Sequence, residues 1–205
     1  SYARVNTFNF NVCFLKVVAL SDGTSVASAD CNWYLRVWRW QDGTVLHYMP
    51  GLGVRGLAQL SASLLAAGGF NGALYLINPL TGAFVANRTG LLSSQSVVTV
   101  LAYSDSTLVL TSGACVSLFA WQSGVEVKRC SGVHAASGSY ADWLDIADSD
   151  GSVMFLNYDA YSVVNWNWRS DQLVYPVNLT GVSRPTAMKV FPSNIHKRDL
   201  NSFLP

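Results

Sequence analysis

The chain has 205 residues, of which 50% are hydrophobic and only 12% charged, and its formal net charge is +1. An average globular domain is about 25% charged. This composition excludes a disordered chain and offers no field to gather nucleic acid or an anionic membrane. It also argues against helical surfaces, because Glu126 is the only glutamate and there are only four lysines. The length suits one domain with a sizeable core. No apolar run reaches the roughly 18 residues that a membrane span needs. The run 12–20 is strand-length and contains Lys16.

In chain order, short apolar runs alternate with Gly, Asp and Ser turns. The first unit has runs at 12–20, 25–29 and 35–40, then the turn Asp42-Gly43. The second has 54–60, 64–68 and 74–77, ending at Gly82. The third has 97–103, 108–112 and 116–120, ending at Gly124. In the fourth, 133–140 is rich in Ala, Ser and Gly, and it is followed by 143–147, 153–156 and a turn at Tyr161. The turn anchors Gly43, Gly82, Gly124 and Tyr161 repeat at about forty residues, and so do the runs that start at 25, 64, 108 and 143. Two independent anchors with one period predict a repeat of about four short strands per unit, which is the pattern of a propeller blade.

The predicted fold is all-β. It is a single β-propeller domain or part of one, with four-stranded blades at roughly 10–50, 51–90, 91–131 and 132–168. An irregular tail and partial blade occupy 169–205. In that tail, 187–194 reads as a first strand and 200–204 as a second. At the other end, 4–8 reads as a last strand of another blade. Four blades and a fraction are fewer than the usual ring of about six to eight. Rings of four or five blades also occur; the alternatives are a larger ring formed with the rest of a longer chain, or strands supplied by a neighbouring subunit.

Trp38 stands five positions before its turn glycine, and Ile77, Phe119 and Leu156 occupy the matching positions. All are large and apolar, as packing between blades requires. Over 10–166 the units resemble diverged WD-repeat blades, or the related quinoprotein-like propeller blades. The Asp that follows the Trp in that family is replaced by Arg39, Asn78, Ala120 and Asn157, and no Gly-His pair is present. The resemblance thus implies the architecture without the family's hydrogen-bond tetrad. It carries no function with it.

The cysteines map onto the strands. Opposed residues in the first hairpin have numbers adding to about 44 or 45, and Cys13 and Cys31 fit that register. In the third unit the corresponding value is 245, which pairs Cys115 with Cys130. Two cross-strand disulfides are predicted, with four buried thiols as the alternative. No cysteine or histidine spacing suits a metal. The sequons at Asn87 and Asn178 predict glycosylation sites. Together these features point to an extracellular or secretory location.

Other motifs read as structural. Gly51-Leu52-Gly53-Val54-Arg55-Gly56 matches a dinucleotide fingerprint but precedes a strand, so it is assigned to an inter-blade loop. Asp142, Asp145, Asp148 and Asp150 lack the bidentate Glu of a calcium loop and read as a polar turn. His47, His134 and His196 stand in no nucleophile motif. No catalytic residue, metal or cofactor is therefore assigned. Trp33, Tyr34, Trp38 and Trp40 form one aromatic cluster, and Tyr158, Tyr161, Trp166 and Trp168 another. Of these, Trp166 and Trp168 share a strand face where the regular repeat ends, and they are predicted as an interface.

The expected function is a non-enzymatic extracellular scaffold or protein-interaction module, with protein partners or self-association. A subunit of a repeating surface assembly is one form of it. A quinoprotein-like propeller enzyme and a carbohydrate-binding module that uses exposed aromatics are the alternatives. No nucleic-acid partner and no membrane span are expected.

Overall fold

The computed structural model describes residues 13–94, 97, 99–104, 106–111, 116–130, 144–146, 153–157 and 162–178. No α-helix occurs among these residues. Blade 1 comprises β1 (Phe14–Ala19), β2 (Ser25–Asp30), β3 (Leu35–Arg39) and β4 (Val45–Met49). Blade 2 comprises β5 (Gly56–Ser61), β6 (Leu64–Gly68), β7 (Leu74–Ile77) and β8 (Phe84–Arg88). Blade 3 comprises β9 (Thr99–Ser104), β10 (Thr107–Thr111), β11 (Val116–Ala120) and β12 (Val125–Arg129). Blade 4 comprises β13 (Leu144–Ile146), β14 (Val153–Asn157), β15 (Ser162–Asn167) and β16 (Gln172–Asn178).

Each blade is an antiparallel sheet with its strands in chain order. The first strands β1, β5, β9 and β13 touch one another in series. The sheets therefore radiate from a common inner edge, with the fourth strands outermost, as in the predicted propeller.

Side-chain alternation explains the packing. Along β6, Leu65 and Ala67 face blade 1, whereas Leu64 and Ala66 face blade 3. Along β10, Leu108 and Leu110 face blade 2, whereas Val109 faces blade 4. Three apolar layers result, one between each pair of neighbouring blades. The middle strands of blades 2 and 3 are covered on both faces, so they read as nearly continuous apolar runs. Outer strands have no such cover, and Val45, Phe84, Val85, Val125 and Val127 remain exposed on them.

The turn from third to fourth strand is built the same way in each of the first three blades. Gly43, Gly82 and Gly124 have φ of 75°, 72° and 76°. Their N–H groups donate to the carbonyls of Arg39, Asn78 and Ala120. A bulge follows on the fourth strand beside Trp38, Ile77 and Phe119, with Leu46, Val85 and Val127 as the extra residues. This left-handed backbone is open to glycine without a Cβ penalty.

The fourth blade corrects the sequence reading by one strand. The run 143–147 contributes the first strand and 153–156 the second, not the second and third. The third strand is β15, and its turn anchor is Asp171, with φ of 58°, instead of Tyr161. Trp166 then stands five positions before the anchor, where Trp38 stands in blade 1. Asn167 matches Asn78: its Oδ1 accepts from the backbone N–H of Arg169 and Ser170, as Asn78 Oδ1 accepts from Leu80 and Thr81. Asp tolerates the left-handed region, so the turn survives without its glycine signal. The blade continues to Asn178, past the expected boundary at 168. Pro176 lies in the outermost strand β16, where a missing N–H costs no pairing to a further strand. The partial blade expected at 187–204 and the strand at 4–8 lie outside the described residues.

Candidate interaction surface

An up-and-down blade puts its second-to-third turns and its exit loop at the same end. Hydrogen bonds tie each connecting loop to the strands and turns around it. Val54 N–H donates to the carbonyl of Trp33, and Arg55 N–H to that of Gly68. In the next pair, Gly90 N–H donates to Asn71 and Val97 N–H to Gly69. The fingerprint-like segment 51–56 is thus the connection between blades 1 and 2.

Asp30 organises the blade 1 turn at this end. It is fully buried, and its Oδ1 accepts from the N–H of Asn32 at 2.9 Å and of Tyr34 at 3.1 Å. Its Oδ2 lies 3.1 Å from Arg36 Nη2. Trp33 N–H donates to the Asp30 carbonyl at 2.8 Å. These bonds hold Trp33 at φ 64°. Such a conformation is an outlier for a bulky residue, and it persists only where its surroundings over-determine it. Nearby, Trp38 Nε1 donates to Ser28 Oγ at 3.1 Å. Blade 1 thus carries a local polar cluster around Asp30 and a separate Trp38–Ser28 bond.

The disulfide Cys13–Cys31 ties the same turn to the start of β1, with Cα atoms 5.4 Å apart. Phe14 faces Asp30 and Val17 faces Ser28, so a bulge between Phe14 and Lys16 moves the register by one and sets the cysteines opposite each other. In blade 3 the register past its bulge puts Ser117 opposite Arg129, and Cys130 N–H donates to Val116. Cys130 is buried against Trp166. Cys115 lies outside the described residues.

The turn displays an aromatic and cationic surface across two blades. The Trp33 ring lies 5.2 Å from that of Phe70 and beneath the Arg55 guanidinium at 4.9 Å. Tyr34 meets Tyr48 edge-on at 5.5 Å, and Arg36 lies over Tyr48 at 5.1 Å. Tyr48 and Phe70 are exposed, whereas Trp33 and Tyr34 are half-buried. Sequence reasoning grouped Trp33 and Tyr34 with other aromatics but did not single out Arg55 or Phe70. The available signal was Asp30 with polar neighbours after an apolar strand, which is the pattern of an Asx turn.

The predicted interface pair divides. Trp166 is completely buried between blades 3 and 4, and its Nε1 donates to Asp171 Oδ1 at 3.1 Å. It is a packing residue and offers no surface. Trp168 is half-buried, with Arg169 stacked over it at 4.8 Å. Asn87 is exposed on β8, and Asn178 ends β16. His47 packs at the junction of blades 1 and 2, where its Nε2 lies 2.9 Å from the Leu80 carbonyl. Asp145 lies on β13, and Asp142, Asp148 and Asp150 lie outside the described residues. Among the described residues no cluster of His, Cys, Asp or Glu suits a metal, and no helix is long and apolar enough to cross a membrane.

No protein-family model matches the sequence, and no curated protein does. Solved structures do match in shape. The chain is similar to the WD40 repeats of RRP9, with 15% identity and a TM-score of 0.66 over 82% of this chain and 52% of that one. It is similar to U3-55K, with 16% identity and a TM-score of 0.65 over 82% and 52%. A chain of the mitotic checkpoint complex gives 15% and 0.66 over 89% and 56%. The chain thus spans about half the length of these structures. The likeness is one of fold: the four-stranded blades are arranged as in these WD40-repeat propellers.

Proposed function

We propose that this chain is a non-enzymatic protein-interaction module of an oxidising, secretory or extracellular compartment. Its binding surface is the loop end of blades 1 and 2. The observation that carries this reading is Trp33. A large aromatic ring is held in a left-handed turn by a buried carboxylate and set beside Arg55 and Phe70. Aromatic residues and arginine are the types enriched at the centres of protein interfaces. Backbone strain of this kind clusters at binding sites. The disulfide at the base of the turn and the exposed sequon at Asn87 support the compartment.

Site-specific photo-crosslinking in secreted material tests the surface. A cross-linker at Phe70 should give discrete protein adducts, and one at Val127 on the outer rim should not. Trp33→Gly preserves the left-handed turn and should remove the adducts without unfolding the chain. Adducts unchanged by Trp33→Gly, or none at Phe70, would overturn the assignment.

A further inference from the structure

We infer that Phe84 and Tyr75 form a platform for the first sugar of an N-linked glycan on Asn87. The inference rests on the secretory reading above. Its basis is the register of β7 and β8. Tyr75 faces Asn87 and Leu76 faces Ala86, but Ile77 faces Phe84, so Val85 is an extra, bulged residue. In a regular strand Phe84 and Asn87 would point to opposite faces. The bulge absorbs one residue and brings both onto the face that carries Tyr75 and Ile77. Residues directly opposite in an antiparallel pair share a face, so Asn87 stands beside the Tyr75 ring.

The side chains agree with this parity. The Phe84 ring meets the Tyr75 ring edge-on at 6.0 Å. Ala86 packs into the layer between blades 2 and 3, on the opposite face. Arg88, also on that face, lies against Gly124 of blade 3. β8 is the outermost strand of its sheet, so no further strand flanks Asn87. Phe84 is 52% exposed and Asn87 and Thr89 are exposed. An apolar ring on an exposed edge strand invites association with other chains. A sugar with its C–H face on the ring would cover it and keep its hydroxyls in water.

The test uses the full chain with Asn178→Gln, secreted from eukaryotic cells, so that a single glycan is read. Intact mass reports occupancy of Asn87. Thermal unfolding is then compared for the full glycan, the glycan trimmed to one sugar, and the fully deglycosylated chain. Trimming should leave Tm unchanged, and complete removal should lower it by roughly 2–4 °C. In Phe84→Ala that drop should vanish, and in Phe84→Tyr it should remain. An occupied Asn87 whose removal costs the same Tm with and without Phe84 would overturn the platform alone. A chain with bare mass would overturn both the platform and the secretory reading.

Discussion

The imidazole of His47 on blade 1 lies against Gly82 in the outer turn of blade 2. A methyl group placed on Gly82 would come within 2.7 Å of His47 Nδ1. The other ring nitrogen, Nε2, donates to the Leu80 carbonyl. The same device recurs one blade on, where a methyl on Gly124 would come within 3.0 Å of Arg88 Cζ. These glycines do two things at once: they adopt the left-handed turn and they leave room for the neighbouring blade.

Gly82→Ala should therefore cost about 1–2 kcal/mol for the left-handed backbone, plus a steric part. His47→Ala removes the steric part. In a double-mutant cycle by denaturant unfolding, the two substitutions together should cost less than the sum of their separate effects. Strict additivity would show that the contact carries no weight.

Loss of the Cys13–Cys31 bridge should loosen the start of β1 and the Trp33 turn together. The bridge closes a sequence separation of 18 residues. A loop of that size corresponds to about 3 kcal/mol by chain entropy. Cys31→Ser should lower stability by up to that amount. Hydrogen exchange should speed up at the Asn32 and Tyr34 amides, which are bonded to Asp30. Unchanged protection at these amides would show that Asp30 holds the turn unaided.

The outer strand of blade 3 should weaken in acid. The side-chain hydrogen bonds from Arg129 hold the Glu126 carboxyl below its ordinary value; burial opposes this, and the Arg129 charge and Ser117 hydroxyl assist. A carboxyl lowered in the folded state stabilises it fully above the ordinary value of 4.5 and loses that contribution as pH falls through the lowered value. Glu126→Gln should flatten this part of the stability profile below about pH 4.5 and leave the rest. A wild-type profile identical to that of the variant would show that the pair is inert.

Asp171 should resist simple replacement. It holds a left-handed turn, accepts the Trp166 indole N–H at 3.1 Å, and pairs with Lys128 at 3.3 Å. Asp171→Asn keeps the backbone preference and an acceptor, and should cost less than about 1 kcal/mol. Asp171→Ala loses all three contributions and should cost about 2–3 kcal/mol. Equal melting temperatures for the two variants would contradict the assignment of Asp171 as the fourth turn anchor.

The sequence by itself determined the repeat. Gly43, Gly82 and Gly124 mark a backbone conformation that few residues accept, and apolar runs covered on both faces leave no polar alternation. Both signals are local and survive in the bare chain. The pairing of Cys13 with Cys31 was also legible, because hairpin register follows from the position of the turn. Tertiary structure decided what local signals could not carry. Asp171 replaces the fourth glycine, so the fourth blade reads one strand early, and Trp166 looks like a surface residue until blade 3 is packed over it. Arg55, Phe70 and Trp33 are far apart in sequence and meet only because an exit loop bonds to the turn of blade 1 and to the end of β6 in blade 2. Phe84 and Asn87 share a face only because one residue bulges. A strand's period of two is written in the chain, whereas the place where a partner strand interrupts that period is set by pairing.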